Sequence, residues 1–263
     1  MKNSPLLTGV IHLAPLPGSP RASKSISEIA ASAVADAKAL ADAGFDLVMI
    51  ENFGDAPFFR GDAPPITIAA MTACAEAIRT NTRKMPLGVN VLRNDVAAAL
   101  AIAHVVGAVA VRVNVHSGAR ITDQGVIEGR AAETLRLRRN LNADAIQIWA
   151  DVDVKHSAPL AARPIEEEAQ ELSERALADA LLVTGSGTGM EVNASDLTRV
   201  RKAAPDAKIY IASGATESNL HLFAEHASGV IVGTALRASG RAGDPIDARL
   251  AKKFANAFRK RFG

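Results

Sequence analysis

The chain has 263 residues, of which 48% are hydrophobic and 22% charged, and its formal net charge is +2. This size and balance suit one large globular domain over residues 1–263, while the weak net charge and the single Trp and Tyr argue against a nucleic-acid-binding protein. Cys74 is the only cysteine, so no disulfide within the chain is possible. The N-terminus lacks the apolar stretch of a signal peptide and no apolar run reaches the roughly 20 residues that cross a bilayer, so we expect a cytoplasmic protein without a membrane span.

Short apolar segments alternate along the chain with segments of helical character. The predicted strands are Leu6–Leu13, Leu47–Glu51, Leu87–Val91, Val109–Val113, Ile146–Val152, Leu181–Thr184, Ile209–Ala212 and Gly229–Val232. The predicted helices are a segment capped by Ser27 and ending at Ala43, Ile66–Thr80, Asp95–Val106, a charged segment ending near Leu141, Glu166–Leu177, a segment capped by Asn193 or Ser195 and ending at Ala203, Glu217–Ala224 and Pro245–Phe262. Strands that are each followed by a helix predict a single (β/α)8 TIM barrel rather than an open doubly wound sheet.

Two long loops interrupt this alternation. Residues 52–65 are rich in Gly and Pro and carry Phe53, Phe58 and Phe59. These three side chains either shield a pocket or pack against a neighbouring subunit, and because exposed apolar patches often mark interfaces, we expect a homo-oligomer. Residues 116–125 form the second predicted loop, for which a lid over the barrel mouth and a solvated surface loop are equally good interpretations.

The last three predicted strands each run into glycine with serine or threonine. Glycine lets the backbone approach an anion closely, and loop N–H groups and hydroxyls donate hydrogen bonds to it. Phosphate sites in barrels of this class lie after the seventh and eighth strands. We therefore predict that a small phosphorylated molecule binds in a phosphate cradle formed by Thr184, Gly185, Ser186, Gly187, Ser213, Gly214, Gly233 and Thr234.

Strand alternation predicts which polar side chains point into the barrel mouth. In the fifth predicted strand, Ile148 and Ala150 must face the helices, which turns Asp151 and Asp153 inward. The same alternation in the earlier strands adds His12, Glu51, Asn90, Arg112 and Asn114. Because an unpaired buried polar group costs about 1–3 kcal/mol, such a concentration indicates a site at the face where barrel active sites lie. The alternative is a mutually satisfied layer of salt bridges.

The segment Asp151–His156 offers the clearest chemistry. Its carboxylates and lysine, with Glu51, suit proton transfer beside an enediolate, so we predict catalytic roles for Glu51, Asp151, Asp153 and Lys155. A divalent metal held by carboxylates with His156 or His12 is also possible, and no other cofactor is indicated. Lys155 is a Schiff-base nucleophile, an oxyanion stabiliser or a partner of Asp153; two nearby aspartates favour the protonated amine and so the second and third roles.

Several segments together resemble the BtpA/SgcQ family, and the similarity covers essentially the whole chain. These segments are Gly9–Gly18, Glu51–Pro57, Thr122–Gly125 with Gly129, Asp151–His156 and Val232–Arg237. The resemblance implies a barrel of the ribulose-phosphate-binding type. The family names point to two different roles, the stable accumulation of photosystem I reaction-centre proteins and carbohydrate uptake.

Two functions follow as hypotheses. The first is an enzyme that isomerises, epimerises or cleaves a small sugar phosphate or related metabolite by acid–base chemistry. The second is a non-catalytic assembly or stability factor for a membrane protein complex. The enzyme hypothesis predicts an open barrel mouth that takes up phosphate. The assembly-factor hypothesis predicts a large apolar surface and a barrel mouth whose charges are fully paired.

Overall fold

The computed structural model describes residues 4–82, 85–185, 187, 190 and 192–263. Its strands are β1 (Leu6–His12), β2 (Leu47–Glu51), β3 (Leu87–Asn90), β4 (Ala110–Val113), β5 (Ala119–Thr122), β6 (Gly125–Glu128), β7 (Gln147–Asp151), β8 (Ser157–Pro159), β9 (Ala180–Val183), β10 (Lys208–Ile211) and β11 (Gly229–Val232). All except β5, β6 and β8 are parallel and form a closed barrel in chain order, with β11 paired to β1. The predicted TIM barrel is confirmed.

Helices surround this barrel. They are α1 (Ile26–Ala43), α2 (Pro65–Asn81), α3 (Val96–Val106), α4 (Ala131–Asn140), α5 (Ile165–Gln170), α6 (Ala194–Ala203) and α7 (Ala248–Phe262). A capping box of Ser25 and Glu28 starts α1, so the predicted cap at Ser27 is wrong by two residues. Asn193, one of the two predicted caps, starts α6. No helix within the described ranges is both long and apolar enough to cross a membrane.

The helix predicted over Glu217–Ala224 is wrong, because the structure has only a single 3-10 turn there, Leu220–Leu222. Asn219 lies at the start of this turn. Its side chain accepts a hydrogen bond from the Thr216 N–H at 2.8 Å and donates one to the Gly214 carbonyl at 2.9 Å. Such side-chain bonds to the local backbone compete with helical hydrogen bonds. They also anchor the loop that follows β10.

The loop predicted over residues 116–125 is largely a β-hairpin. Strands β5 and β6 pair antiparallel, and β8 pairs with the other edge of β5. Gly125 adopts a φ of 100° after the turn, which a residue with a side chain rarely does. Ile127 packs with Val115 and Val154 in a small apolar cluster of its own. The hairpin is therefore fixed by packing at the edge of the barrel mouth.

The barrel core has two layers, which follow the predicted strand alternation. Side chains such as Val48, Val89, Val111 and Ile148 pack outward against the helices. The inward side chains fill the barrel interior with Val10, Leu47, Met49, Ala110, Trp149, Ala180, Leu182, Tyr210, Ala212 and Ile231. Because this interior is apolar and closed, the polar inward residues at the carboxyl ends of the strands form its upper boundary.

Candidate functional site

A buried cluster of charged and amide side chains lies at the carboxyl ends of β2, β3, β4 and β7. Arg112 donates two hydrogen bonds to Asp151, at 3.0 and 3.2 Å, and one to Glu51 at 3.2 Å. Asn90 donates to Glu51 at 3.1 Å and Asn114 to Asp151 at 2.6 Å. This part of the mouth forms the salt-bridge layer that sequence analysis raised as an alternative. Two neighbouring cationic side chains, Lys155 and Arg93, are not part of that layer.

Glu51 is held as a carboxylate by this cluster. Burial raises its pKa, but Arg112 and the other nearby positive groups outweigh that effect and leave the pKa below its usual value. Its Oε1 accepts from both Arg112 and Asn90. Its Oε2 lies 3.8 Å from His12 Nε2. The ionised Glu51 can therefore accept a proton or a hydrogen bond on its Oε2 side.

His12, at the end of β1, is a neutral side chain at neutral pH. Burial lowers its pKa to about 3, despite the opposing effect of Glu51. The Gly243 N–H donates to His12 Nδ1 at 3.2 Å, which places the imidazole proton of the neutral ring on Nε2, toward Glu51. The Phe53 ring lies 4.5 Å from the imidazole, centroid to centroid. His12 can thus donate a hydrogen bond from Nε2 without carrying charge.

Lys155 is the buried amine of the site. Burial lowers its pKa, and Arg112 adds to this effect while Glu51 opposes it. Within the described part of the chain, its Nζ makes no hydrogen bond or ion pair. These surroundings raise the neutral fraction of Lys155 above that of an ordinary lysine, and the neutral amine is the form that acts as a base or a nucleophile.

Asp153 does not join this cluster. Its side chain is 60% exposed and pairs with Arg120 of β5. The predicted pair of Lys155 with Asp153 is therefore wrong, and of the two aspartates only Asp151 is among the groups that raise the pKa of the amine. Alternation placed Asp153 inward, but β7 ends at Asp151, and beyond the strand the chain no longer alternates. The catalytic role predicted for Asp153 has no support from its position.

Two cavities open at the barrel mouth and share part of their lining. The larger, of about 580 Å³, is lined by Asn90, Arg93, Asn114, Asp123 and His156, with Phe53 and Phe58 on its apolar side. The smaller is lined by His12, Ser213, Gly214, Ala215, Gly233 and Thr234. Glu51, Arg112 and Lys155 line both cavities. A ligand that occupies both would pass directly over Lys155.

The smaller cavity offers backbone donors at the ends of β10 and β11. Gly214 has a φ of 65°, and the N–H groups of Gly214, Ala215 and Thr234 donate no hydrogen bond to another described residue. Arg237 is buried and donates to the carbonyls of Gly233 and Val10, which fixes the turn after β11. These free N–H groups give the cavity the character of an anion site.

The residues that follow β9 contribute less to the predicted phosphate cradle than the sequence indicates. The Gly185 N–H donates to Ser213 Oγ at 2.7 Å, and Thr184 Oγ1 donates to the Asp153 carbonyl at 2.7 Å. Neither Thr184, Gly185 nor Gly187 lines either cavity. Ser186 lies outside the described residues. Of the described residues predicted to form the cradle, only those at the ends of β10 and β11 line the smaller cavity.

The bond between Ser213 and Gly185 predicts a measurable stability effect. Replacing Ser213 by alanine leaves the buried Gly185 N–H without its acceptor, so we expect the free energy of unfolding to fall by about 1–3 kcal/mol. Urea unfolding measures this change. Ser173→Ala, which removes a long and exposed hydrogen bond of 3.4 Å, is the matched control and is expected to stay within about 0.5 kcal/mol of the original chain. Equal stability of both variants would contradict the prediction.

Arg93 is a residue of the larger cavity that the sequence pattern does not predict. Its side chain is 5% exposed, and Nη2 donates to the Lys155 carbonyl at 2.7 Å. It follows the end of β3 by three residues, beyond the range where strand alternation applies. The only available signal was a basic residue just after a barrel strand at its carboxyl end.

The aromatic residues of the loop after β2 divide between two positions. Phe53 and Phe58 line the larger cavity, as the shielding interpretation requires, whereas Phe59 is 59% exposed. The homo-oligomer stays a prediction. Among the described residues, no group of three or more His, Cys, Asp or Glu side chains is arranged to hold a metal ion.

The fold and site define a class of protein: a closed parallel barrel with a polar mouth and backbone donors at its last two strands. Within that class, the chain belongs to the BtpA family, whose model matches residues 2–260. It is 43% identical to the uncharacterized protein MJ1115 of Methanocaldococcus jannaschii, over 98% of this chain and 97% of that protein. It is 42% identical to the photosystem I biogenesis protein BtpA of a Synechocystis strain, over 91% of this chain and 83% of that protein.

Solved structures with the same fold are distant in sequence. The 3-keto-L-gulonate-6-phosphate decarboxylase of Vibrio cholerae superposes with a TM-score of 0.59 at 15% identity, and the comparison covers 99% of this chain and 98% of that chain. At this identity the likeness establishes the barrel fold alone.

Proposed function

We propose that this protein is an enzyme that binds a small sugar phosphate or a related phosphorylated metabolite and acts on it by acid–base chemistry. The phosphate rests on the free N–H groups of Gly214, Ala215 and Thr234. The carbon chain extends from there over Lys155 into the larger cavity. The similarity in fold to the decarboxylase named above, which acts on a phosphorylated sugar acid, is consistent with this proposal.

The observation that carries the proposal is the position and state of Lys155. It lines both cavities, its pKa is lowered by burial, and its Nζ is free of hydrogen bonds within the described residues. A neutral amine beside a phosphate site can take a proton from a carbon next to a carbonyl, as isomerases and epimerases do. Alternatively, it can add to the carbonyl as an aldolase nucleophile. Both reactions belong to the proposed class.

Glu51 and His12 complete the acid–base set. The Glu51 carboxylate faces both cavities and can accept the proton of a substrate hydroxyl. The neutral His12 offers its Nε2–H to a developing oxyanion beside the cradle. Asp151 has its oxygens occupied by Arg112 and Asn114, so its role is to hold those two side chains.

Gly233 provides the test of phosphate binding. A Cβ at this position would lie 3.3 Å from His12 Cε1, so Gly233→Val fills the smaller cavity. We expect inorganic phosphate and sorbitol 6-phosphate to raise the melting temperature of the original chain. The affinity measured by calorimetry is expected to fall at least about tenfold in Gly233→Val.

Gly61→Val is the matched control for this test, because nothing lies within 4 Å of a Cβ at Gly61. It is expected to bind both compounds like the original chain. If neither inorganic phosphate nor any phosphate ester in a panel raises the melting temperature of the original chain, the proposed function is wrong.

The role named for the Synechocystis relative supports a second candidate, an assembly factor for a membrane protein complex. It predicts a mouth whose charges are all paired, whereas Arg93 and Lys155 make no ion pair with a described residue.

Among described residues, the exposed large apolar side chains include Ile121 and Val126, which are paired neighbours on the β5–β6 hairpin. Replacing both by threonine would impair an assembly factor that binds through this hairpin and leave phosphate binding unchanged.

A further inference from the structure

Arg93 is a buried guanidinium that faces the larger cavity without a carboxylate partner. Its one hydrogen bond to a described residue goes to the Lys155 carbonyl, and no described carboxylate lies within ion-pair distance of it. Arginine is rarely buried unless it is paired. The carboxylate with the largest electrostatic effect on it is Asp151, whose two oxygens already accept from Arg112 and Asn114, and Asp123 of the same cavity has a smaller effect. The remaining N–H donors of Arg93 therefore lack an acceptor among the described residues.

Asn114 presents a complementary feature in the same cavity. Its Nδ2 is committed to Asp151 at 2.6 Å, which fixes Oδ1 as the other end of the amide. Oδ1 is buried and has no hydrogen-bond partner among the described residues. A buried acceptor without a donor costs about 1–3 kcal/mol, so a ligand donor that reaches this oxygen is stabilised.

Arg93 and Asn114 are held next to each other. Asn94 Nδ2 donates to the Val115 carbonyl at 2.9 Å, and the Val115 N–H donates back to Asn94 Oδ1 at 2.9 Å. These reciprocal bonds tie the residue after Arg93 to the residue after Asn114. Two adjacent residues of the cavity lining thus have unused hydrogen-bonding capacity, Arg93 as a planar set of donors and Asn114 as a buried acceptor.

We propose that this part of the cavity binds a carboxylate on Arg93 and a neighbouring hydroxyl on Asn114 Oδ1. The substrate of the proposed enzyme is then a phosphorylated hydroxy acid, with its phosphate in the cradle and its carboxylate at the far end. The inference rests on the proposed function. The guanidinium fork matches the two coplanar oxygens of a carboxylate, and an α-hydroxyl supplies the donor that Asn114 lacks.

Three compounds test this inference on the full chain by calorimetry. The first two are 6-phosphogluconate and sorbitol 6-phosphate, which carry the same phosphate but differ at the other end in having a carboxylate or a hydroxymethyl group. We expect the acid to bind at least about tenfold more tightly, equivalent to about 1.4 kcal/mol. The third compound, 2-deoxy-6-phosphogluconate, lacks the hydroxyl next to the carboxylate and is expected to bind severalfold more weakly than the parent acid.

Variants of Arg93 locate the effect. In Arg93→Gln the preference for the acid is expected to disappear, while the affinity for sorbitol 6-phosphate stays within about twofold. Arg93→Lys keeps the positive charge but lacks the planar guanidinium, so it is expected to retain part of the preference for the acid. This second variant provides the test if Arg93→Gln does not fold. Equal or weaker binding of the acid to the original chain overturns the inference. Failure of both compounds, of inorganic phosphate and of every other phosphate ester in the panel to bind overturns the proposed function instead.

Discussion

Replacing Arg112 by methionine is expected to lower the free energy of unfolding by about 3–5 kcal/mol at pH 7. Arg112 is 3% exposed and is the shared partner of Glu51 and Asp151. Its removal leaves two buried carboxylates without a cation at hydrogen-bond distance, which is the costly way to break a buried ion pair. Urea unfolding of the original chain and the variant measures the loss.

The pH dependence of this loss has a definite sign. In the original chain the pKa of Glu51 is below its ordinary value of 4.5, so its contribution to stability is complete above about pH 4.5 and is lost as the pH falls through the lowered folded-state pKa. Without Arg112, burial dominates and the pKa of Glu51 rises above that of the unfolded state. The destabilisation in Arg112→Met is therefore expected to shrink when the pH is lowered from 7 to 5.

Arg79→Met is the matched control for Arg112→Met. Arg79 also pairs with a carboxylate, Glu76, at 2.6 Å, but both side chains are about half exposed on the surface of α2. Because exposed pairs contribute little, a change within about 0.5 kcal/mol is expected at either pH. A loss below about 1 kcal/mol in Arg112→Met would show that the cluster does not depend on its guanidinium.

Pyridoxal 5′-phosphate followed by borohydride is expected to label Lys155 before the exposed lysines at pH 7. The compound carries a phosphate for the cradle and an aldehyde. The neutral amine adds to the aldehyde carbon and water leaves to give an imine, and hydride from borohydride then reduces the imine to a stable secondary amine. Because its pKa is lowered, a larger fraction of Lys155 is neutral than for an ordinary lysine. Mass spectrometry is expected to show labelling at least about tenfold faster than at exposed Lys260.

Inorganic phosphate and Lys155→Met provide the controls for this labelling. Phosphate is expected to slow labelling of Lys155 by competition and to leave Lys260 unchanged. Lys155→Met is expected to lose the fast label and to unfold no more easily than the original chain, because it removes a buried amine that has no described partner. For any phosphate ester that the original chain converts, kcat is expected to be about 10²–10⁴-fold lower in Lys155→Met. Even labelling of all lysines, unaffected by phosphate, would argue against a role for Lys155.

The barrel and most of its mouth could be predicted from the order of the amino acids. Successive side chains of a strand point to opposite faces of the sheet. Because the face that packs against the helices must be apolar, the polar residues within a strand point into the barrel. Glu51, Asn90, Arg112 and Asp151 therefore lie where alternation places them. Late glycines at strand ends likewise indicated a cradle at β10 and β11.

The positions of residues beyond the strand ends could not be predicted in this way, because they depend on long-range contacts. Asp153 turns out to meet Arg120, and Arg93 enters the cavity, because loop direction is set by contacts with segments distant in sequence. The state of Lys155 was decided in the same way. Sequence neighbours suggested a protonated amine, but the pKa of a buried group depends on the burial and charges that all packed segments impose together, and only the folded barrel brings those segments around it.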